Sequence, residues 1–347
     1  MKTVGLDLHK VNTQVCVLDE AGAVEREVRV ASDRKHLGKI FAKHERMRVL
    51  VESSTESEWV ARYLEELGHE VIVADPGYAP MYPQRVRRVK TDRRDARALA
   101  EACRTGTFRR AHRCSEGHRR VRAGLTVREA LVRTRSRYIS IVRAMLRSEG
   151  LRVRSGGAET FVERVEEVEV PVHVEATIRP LLEIMDDLTR RLREMEHELI
   201  VVSRTDEVAR RLCTVPGVGP VTAITFKAVV DRIDRFAGAH RLESYLGLVP
   251  SERSSGEKRQ RGRLTKRGSS RVRSLLFEAA WTVLRGKAPG TAELSAWGRR
   301  IAARRGQRIA VTALARRMAG ILFAMWRDER DFDPKKIRVP KAGLRAA

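Results

Sequence analysis

The chain has 347 residues, of which 70 are lysine or arginine and 45 are aspartate or glutamate, so its formal net charge is +25. An apolar fraction of 42% excludes a largely disordered chain, and the length predicts roughly two or three domains. The isoelectric point near 10.9 favours an acidic polymer as partner, while 5% aromatic residues argue against base stacking on an aromatic sheet.

The first hundred residues predict an α/β domain on a mixed sheet. The predicted elements are three short strands within residues 3–30, a strand at 48–52, a helix that contains Trp59 and ends at Gly68, a strand at 70–75, and a helix at 92–103. A meander of three strands followed by alternating strands and helices is typical of such a sheet.

The middle of the chain predicts a coiled-coil helical hairpin. Apolar residues recur at spacings of three and four from Ile178 to Val202, which is a heptad pattern over more than three repeats. A partner helix is predicted at 119–148, and residues 150–171 would connect the two. Residues 159–198 hold 12 acidic and 5 basic residues. We predict core packing or self-association here, and no catalysis.

The third region predicts a mostly helical domain. It begins near Leu212, contains a Pro216–Gly219 turn that leads into a helix, and continues through a basic stretch at 251–273 to helices that end near Arg327. The last twenty residues predict a frayed basic tail.

No feature of the sequence predicts a membrane span, an export signal, a disulfide framework or a zinc site. The longest uncharged run, between Arg211 and Lys227, is short and is broken by prolines and glycines. The N-terminus enters a strand-like run at once, and the four cysteines have no paired spacing. We therefore expect a soluble, cytoplasmic protein.

Four acidic residues stand where a metal site could form. Asp7 lies on a hydrophobic strand opposite Val4 and Leu6, where a charge is costly unless it is paired or binds a metal. Glu52 ends a second hydrophobic strand, and Asp92 and Asp95 share one face of a helix. Oxygen ligands of this kind suit Mg²⁺, and two such ions can support an in-line phosphodiester displacement.

Each acid also has a simpler interpretation. Asp92 and Asp95 could only stabilise the start of a helix, and Glu52 could cap the next one. His9 follows Asp7 on the same strand face, where a packed or supporting histidine is favoured over a metal ligand. Residues 85–97 contain seven basic residues around the two aspartates, which suits a phosphate track or a solvated surface.

Taken together, the acids and several motifs resemble a known family. The acids in this order resemble those of RNase H-like, or RuvC-like, nucleases, and the motifs resemble the DEDD transposases of bacterial insertion sequences, which are bridge-RNA-guided recombinases. The motifs are Val4–Lys10, Val51–Ser53, Lys90–Ala96, Pro216–Gly219, Tyr245–Pro250, Ser254–Lys258 and Gly262–Gly268. One minor departure is Ser269, where many members have asparagine.

The resemblance implies four parts: a RuvC-like DEDD nuclease domain at 1–115, a coiled-coil hairpin for oligomerisation at 116–208, a C-terminal transposase domain at 209–330, and a basic tail at 331–347. It implies a two-part active site, in which Asp7, Glu52, Asp92 and Asp95 hold Mg²⁺ and a serine attacks the DNA phosphate. Ser255 is our candidate nucleophile because it precedes Gly256, and Ser254 is its close competitor. In isolation, this Ser-Ser-Gly tripeptide is more typical of a plain turn.

The implied partners are donor and target DNA, a guide (bridge) RNA, and further copies of the chain in a dimer or tetramer. Residues 251–273 hold nine basic and two acidic residues, a composition typical of a flexible segment that contacts nucleic acid. The predicted nucleic-acid contacts are Lys90, Arg93, Arg94, Lys258, Arg261, Lys266 and Arg267. The Pro216–Gly219 turn resembles a helix-hairpin-helix phosphate site or, equally, a plain helix start.

Two other functions stay open at the level of sequence. One is a hydrolytic, structure-selective endonuclease of the junction-resolvase kind, in which the acids cut with water and Ser255 is structural. The other is a non-catalytic nucleic-acid-binding derivative, which would not require all five candidate residues.

Overall fold

The computed structural model describes residues 1–42, 45–82, 91–255, 258–286 and 290–336, with the side chains of 253–261 outside that description. The chain divides into two compact units, Met1–Cys114 and Ser115–Ala347. The finer division of the second unit into a hairpin domain and a transposase domain stays a prediction.

The described residues of the N-terminal unit form a five-stranded mixed sheet. Its strands are β1 (Thr3–Leu8), β2 (Asn12–Leu18), β3 (Val24–Ala31), β4 (Arg48–Glu52) and β5 (Glu70–Ala74). They lie in the order β3-β2-β1-β4-β5, with β1 antiparallel to β2 and parallel to β4. This arrangement is consistent with an RNase H-like domain and places β1 at the centre of the sheet.

Helices cover both faces of this sheet. Helices α1 (Arg34–Phe41) and α2 (Ser57–Glu66) pack on the face that carries Val4 and Leu6, and α3 (Asp92–Thr105) packs on the other face. The sequence analysis identified α2 and α3 but not α1. Helix α1 is only 8 residues long, and its N-cap Asp33 accepts a hydrogen bond from the backbone N–H of His36.

The C-terminal unit begins with a helical hairpin. Helix α4 (Glu116–Ser148) packs on α6 (Val172–Thr205), with Arg128 paired to Glu196 and Arg135 Nη1 donating to Thr189 Oγ1 at 3.2 Å. From Arg128 to Arg135 the chain advances seven residues along α4, while the partners on α6 go back seven residues, from Glu196 to Thr189. The two helices are therefore antiparallel.

The predicted seam of this hairpin is partly buried. Ile178, Met185, Leu188 and Leu192 are buried, whereas Val202 at the far end is 44% exposed. The predicted connection at 150–171 is not a plain loop, because it contains α5 (Phe161–Glu166), whose Phe161 is buried against the hairpin.

The remaining described residues form a mostly helical core. The helices are α7 (Glu207–Leu212), α8 (Pro220–Val230), α9 (Ala239–Tyr245), α10 (Ser270–Leu284), α11 (Ala292–Arg305) and α12 (Gln307–Arg327). By length and composition, α12 could cross a membrane, but Leu314, Met318 and Leu322 lie in the centre of the core. We therefore interpret α12 as a core helix of this unit.

The predicted flexible segment at 251–273 is instead largely regular structure. Strands β6 (Pro250–Ser255) and β7 (Lys258–Leu264) pair antiparallel, with Ser254 opposite Arg259 and Ser255 opposite Lys258. Polar, basic sequence concealed this hairpin because it lacks the apolar alternation that marks a strand. Of the predicted tail, residues 337–347 lie outside the described part of the chain.

Candidate active site

Asp7 and Glu52 lie at the same end of two neighbouring strands. The parallel register of β1 and β4 reaches Leu6 opposite Val51, and these two acids are the next residue on each strand. Asp7 is therefore near the C-terminal end of β1. Because equivalent positions of parallel neighbours share a face and the strands are about 4.8 Å apart, both carboxylates point to the α3 side.

Helix α3 approaches this face unusually closely because residue 5 is a glycine. A Cβ atom on Gly5 would lie 2.1 Å from the carbonyl oxygen of Ala96 and 2.3 Å from the amide nitrogen of Ala100. The backbone of α3 thus packs directly on β1. The side chain of Thr91 caps the helix by accepting a hydrogen bond from the N–H of Arg94, which places Asp92 and Asp95 in the first turn beside Asp7.

Three potential ligand groups meet at this point. Asp7, His9 and Asp92 each offer one ligand atom, and these atoms lie within 4.8 Å of one another. His9 Nε2 lies 3.3 Å from Asp7 Oδ2 and 3.4 Å from Asp92 Oδ1. This position of the His9 ring is compatible with the supporting role that the sequence favours and also with metal binding.

Asp7 is the buried member of this cluster. Its side chain is 12% exposed, against 47% for Asp92 and 53% for His9. Burial raises the pKa of Asp7, the charges of Asp95 and Asp92 raise it further, and His9 opposes the shift.

The cluster has the properties of a divalent-cation site. Asp7 Oδ2 is buried and accepts no well-aligned hydrogen bond from a described residue, although His9 Nε2 approaches it to 3.3 Å and lowers its pKa. A buried carboxylate oxygen in this state is costly unless a cation satisfies it. The donor set of two carboxylates and one imidazole suits a divalent metal and does not by itself identify which one.

The Glu52 carboxylate also makes a contact that the sequence does not predict. Its carboxylate is not a member of the close cluster of Asp7, His9 and Asp92, and its Oε2 accepts a hydrogen bond from the hydroxyl of Tyr82 at 2.8 Å. Tyr82 is 4% exposed, and the sequence analysis did not identify it. No local pattern marks this tyrosine, because 30 residues separate it from Glu52 along the chain.

The predicted basic contacts near α3 are only partly described. Arg93 Nε donates to Glu27 Oε2 of β3 at 2.6 Å, so its guanidinium is tied to the protein surface. Arg94 is exposed, and Lys90 lies outside the described residues. The phosphate track at residues 85–97 therefore stays a prediction.

In the C-terminal unit, the predicted nucleophile lies in the β6–β7 hairpin. Ser254 and Ser255 are the last residues of β6, and Lys258 begins β7. Gly256 lies outside the described residues, as do the side chains of Ser254, Ser255, Lys258 and Arg261. Their roles stay predictions.

The loop that follows the β6–β7 hairpin is fixed by hydrogen bonds from a buried arginine. Arg273 is 9% exposed, and its Nη1 donates to the carbonyl oxygens of Leu246, Arg267 and Gly268 at 2.8–3.0 Å. Lys266 and Arg267 are exposed on this loop, where a phosphate could reach them. In the sequence, Arg273 is marked only as the last basic residue of the stretch at 251–273.

The Pro216–Gly219 turn joins α7 to α8. Gly219 is the N-cap of α8 and Pro220 is its first residue, and no side chain caps this helix start. A helix start of this kind fits both interpretations of the motif, the phosphate site and the plain turn.

Comparison with known proteins agrees with this architecture. A family model for DEDD transposases of IS110 elements, described as "Transposase", matches residues 4–149. A second, described as "Transposase IS116/IS110/IS902 family", matches residues 209–295.

Three similar proteins span nearly the whole chain. A probable family 20 transposase of Pseudomonas aeruginosa is 30% identical over 342 residues, which are 96% of this chain and 99% of that protein. The transposase for insertion sequence element IS1111A of Coxiella burnetii is 28% identical over 94% of this chain and 89% of its own length. The transposase for IS1328 of Yersinia enterocolitica is 26% identical over 93% and 96%. The chain belongs to the IS110/IS116 family of DEDD insertion-sequence transposases.

Proposed function

We propose that this insertion-sequence transposase cuts and rejoins DNA through a covalent phosphoserine intermediate, with Mg²⁺ held by Asp7, Glu52, Asp92 and Asp95. The observation that supports the metal is the buried oxygen of Asp7, which has the Asp92 carboxylate and the His9 ring beside it. When bound, Mg²⁺ would polarise the phosphate and make a hydroxyl easier to deprotonate.

The chain's own residues would carry the rest of the reaction. Ser255 Oγ attacks the DNA phosphorus and loses its proton to water, and the P–O bond to one deoxyribose breaks while the leaving oxygen gains a proton. The phosphoester count does not change, so the reverse reaction can join a different DNA end without ATP. Lys258, Arg261, Lys266 and Arg267 would bind the DNA phosphates.

We also propose that a bridge RNA guides the protein to its target and that the protein acts in the cytoplasm as a dimer or tetramer. The α4–α6 hairpin supports self-association because Ile141, Ile184 and Val201 leave apolar surface exposed on it. Sequencing of the RNA that copurifies with the protein tests the guide, and absence of a specific RNA would contradict it.

The decisive experiment compares Ser255→Ala with Ser254→Ala. Labelled DNA is incubated with the protein, its copurified RNA and Mg²⁺, and the products are separated on a denaturing gel. We expect a DNA-linked protein band for the unaltered chain and for Ser254→Ala, and neither linkage nor cleavage for Ser255→Ala.

Two outcomes would support other functions. If Ser255→Ala still cuts DNA and no linked protein forms, the enzyme is a hydrolytic endonuclease. If Asp7→Asn leaves every measured activity unchanged, a purely binding role is favoured.

A further inference from the structure

A cavity of about 460 Å³ lies in the C-terminal unit where α10, α11 and α12 meet. Its volume is within the range of about 300 to 1,000 Å³ that small-ligand pockets occupy. The lining residues are Trp281, Leu284, Arg285, Arg299, Ala302 and Gln307. None of the sequence predictions for catalysis or nucleic-acid binding involves these residues.

One wall of the cavity offers flat, stacking surfaces. Trp281 is half-buried, and its ring packs against the core of the unit while part of it faces the cavity. Arg285 follows one helical turn later, with its guanidinium carbon 5.5 Å from the centre of that ring. Leu284, 9% exposed, also lines the cavity. Unpaired bases stack on such aromatic rings and guanidinium planes.

Helix α11 contributes a second arginine to the cavity, in a defined position. Arg299 Nε donates to the hydroxyl of the buried Ser295 at 3.0 Å, which orients the guanidinium. A Cβ atom on Gly286 would lie 2.8 Å from Arg299 Nη2, so the glycine leaves space that this guanidinium uses. Gly286 also has a φ of +65°, which a glycine adopts without strain.

The charges around the cavity favour an anionic ligand. Arg285 and Arg299 form no ion pair with a residue that the structure describes. Residues 299–308 contain five arginines and no acidic residue. Gln307 adds an amide that can both donate and accept hydrogen bonds.

We infer that this cavity binds one unpaired nucleotide of a nucleic acid, with the base against Trp281 and Arg285 and a phosphate on Arg299. The Gln307 amide would contact the edge of the base. The inference rests on the proposed function in that the partner is a nucleic acid, and it adds a binding site separate from the acids and from Ser255. The nucleotide could come from RNA or from single-stranded DNA, and the two arms of the test distinguish them.

The test measures binding of the full-length protein to labelled 12-nucleotide single strands of RNA and of DNA. Arg299→Gln is compared with Arg300→Gln, which removes the same charge from the next residue of α11 but does not line the cavity. We expect Arg299→Gln to weaken binding by about fivefold or more for the strand that the cavity accepts, and Arg300→Gln by less than about twofold.

A spectroscopic measurement tests the stacking itself. A 2-aminopurine in the strand should be quenched by the protein, and the quenching should fall with Trp281→Leu and be retained with Trp281→Phe. Thermal unfolding of each variant confirms that it folds. Equal effects of Arg299→Gln and Arg300→Gln on both strands, or quenching that persists in Trp281→Leu, would overturn the inference.

Failure of the cavity assignment can be distinguished from failure of the proposed function. If the unaltered protein binds neither strand and forms no linkage with DNA, the proposed function fails. If it binds and cuts normally but the paired variants do not differ, only the cavity assignment fails.

Discussion

Asp7 is the residue on which the N-terminal site depends. It is buried at the end of a central strand, its Oδ2 accepts no well-aligned hydrogen bond among the described residues, and the carboxylates of Asp92 and Asp95 act on it. Such a residue makes the metal-free protein less stable, because a charge is kept from water without full compensation. The arrangement is therefore costly for folding alone and favourable once a cation binds.

Asp7→Asn should raise the Tm of the metal-free protein at pH 7. Because the pKa of Asp7 is raised above its ordinary value of 3.8, the folded state binds the proton more tightly than the unfolded state does. Stability is therefore lost as the pH rises from that value through the folded pKa, and it stays lower at neutral pH. Asn cannot ionise, so the variant should keep its stability as the pH rises. Thermal unfolding in EDTA measures this difference in Tm.

Asp7→Asn should also lose the stabilisation that Mg²⁺ gives to the unaltered protein. Mg²⁺ should raise the Tm of the unaltered protein but not that of Asp7→Asn, and DNA cleavage should fall by about 100-fold or more. Glu45→Gln, a change at an exposed acid of the same unit, is the control. An equal Tm increase with Mg²⁺ in both variants would contradict the site.

Two of the four cysteines are buried in the N-terminal unit. Burial raises the pKa of Cys16 to about 11 and that of Cys103 to about 12. Cys16 lies on β2 under α3, and Cys103 belongs to the buried side of α3 itself, whereas Cys114 and Cys213 are partly exposed. At pH 8, Cys16 and Cys103 should react with iodoacetamide at least about tenfold more slowly than Cys114, as mapped by mass spectrometry. Comparable rates would show that α3 does not stay docked on the sheet.

Among the elements, the contact between α3 and β1 positions the site. Asp92 comes to lie beside Asp7 because the backbone of α3 rests on Gly5, and the first turn of the helix is capped by Thr91. The acids are thus placed by backbone packing rather than by their own interactions. A change that pushes the helix away should disturb metal binding without altering any ligand.

Gly5→Ala tests this contact. The added methyl group would overlap the backbone of α3, so the helix must shift, and we expect a loss of about 1 to 3 kcal/mol in the free energy of unfolding. The increase in Tm with Mg²⁺ should also become smaller. Gly124→Ala, where a Cβ atom meets nothing within 4 Å, is the control and should be neutral or slightly stabilising. An unchanged response to Mg²⁺ in Gly5→Ala would contradict this role of the contact.

For the whole molecule, the charge is distributed unevenly. Residues 199–347 hold 32 basic and 13 acidic residues, a surplus of 19, whereas residues 115–198 hold 16 and 15. The helical hairpin therefore contributes almost none of the +25 charge. Most of the attraction for nucleic acid should come from the C-terminal region, which contains the β6–β7 hairpin and the cavity.

Nucleic-acid binding should accordingly be strongly salt-dependent. If the protein neutralises about six to ten phosphates, its affinity for duplex DNA should fall by about 10³-fold or more between 50 and 200 mM salt. Fluorescence anisotropy at several salt concentrations measures the slope. Affinity that hardly changes over this range would contradict a binding surface dominated by phosphate contacts.

Signals local to the sequence were enough to predict most of the elements and the family. Periodicity and capping residues predicted the strands of the sheet, α2, α3 and the two long helices, because these signals depend on neighbouring residues. Asp7 could be selected because a charge opposite apolar strand positions is costly wherever the strand lies. The motifs at both ends of the chain predicted the transposase family, which the comparisons confirm.

Which side chains meet depends instead on the tertiary fold. His9 beside Asp92 and Tyr82 on Glu52 join residues that are far apart along the chain, and their contact depends on strand register and on the close packing of α3. The β6–β7 hairpin and the cavity at Trp281 have the same origin, since pairing and packing between separate segments formed them. Local sequence patterns specify elements, but the distance between two distant side chains is set by how those elements pack.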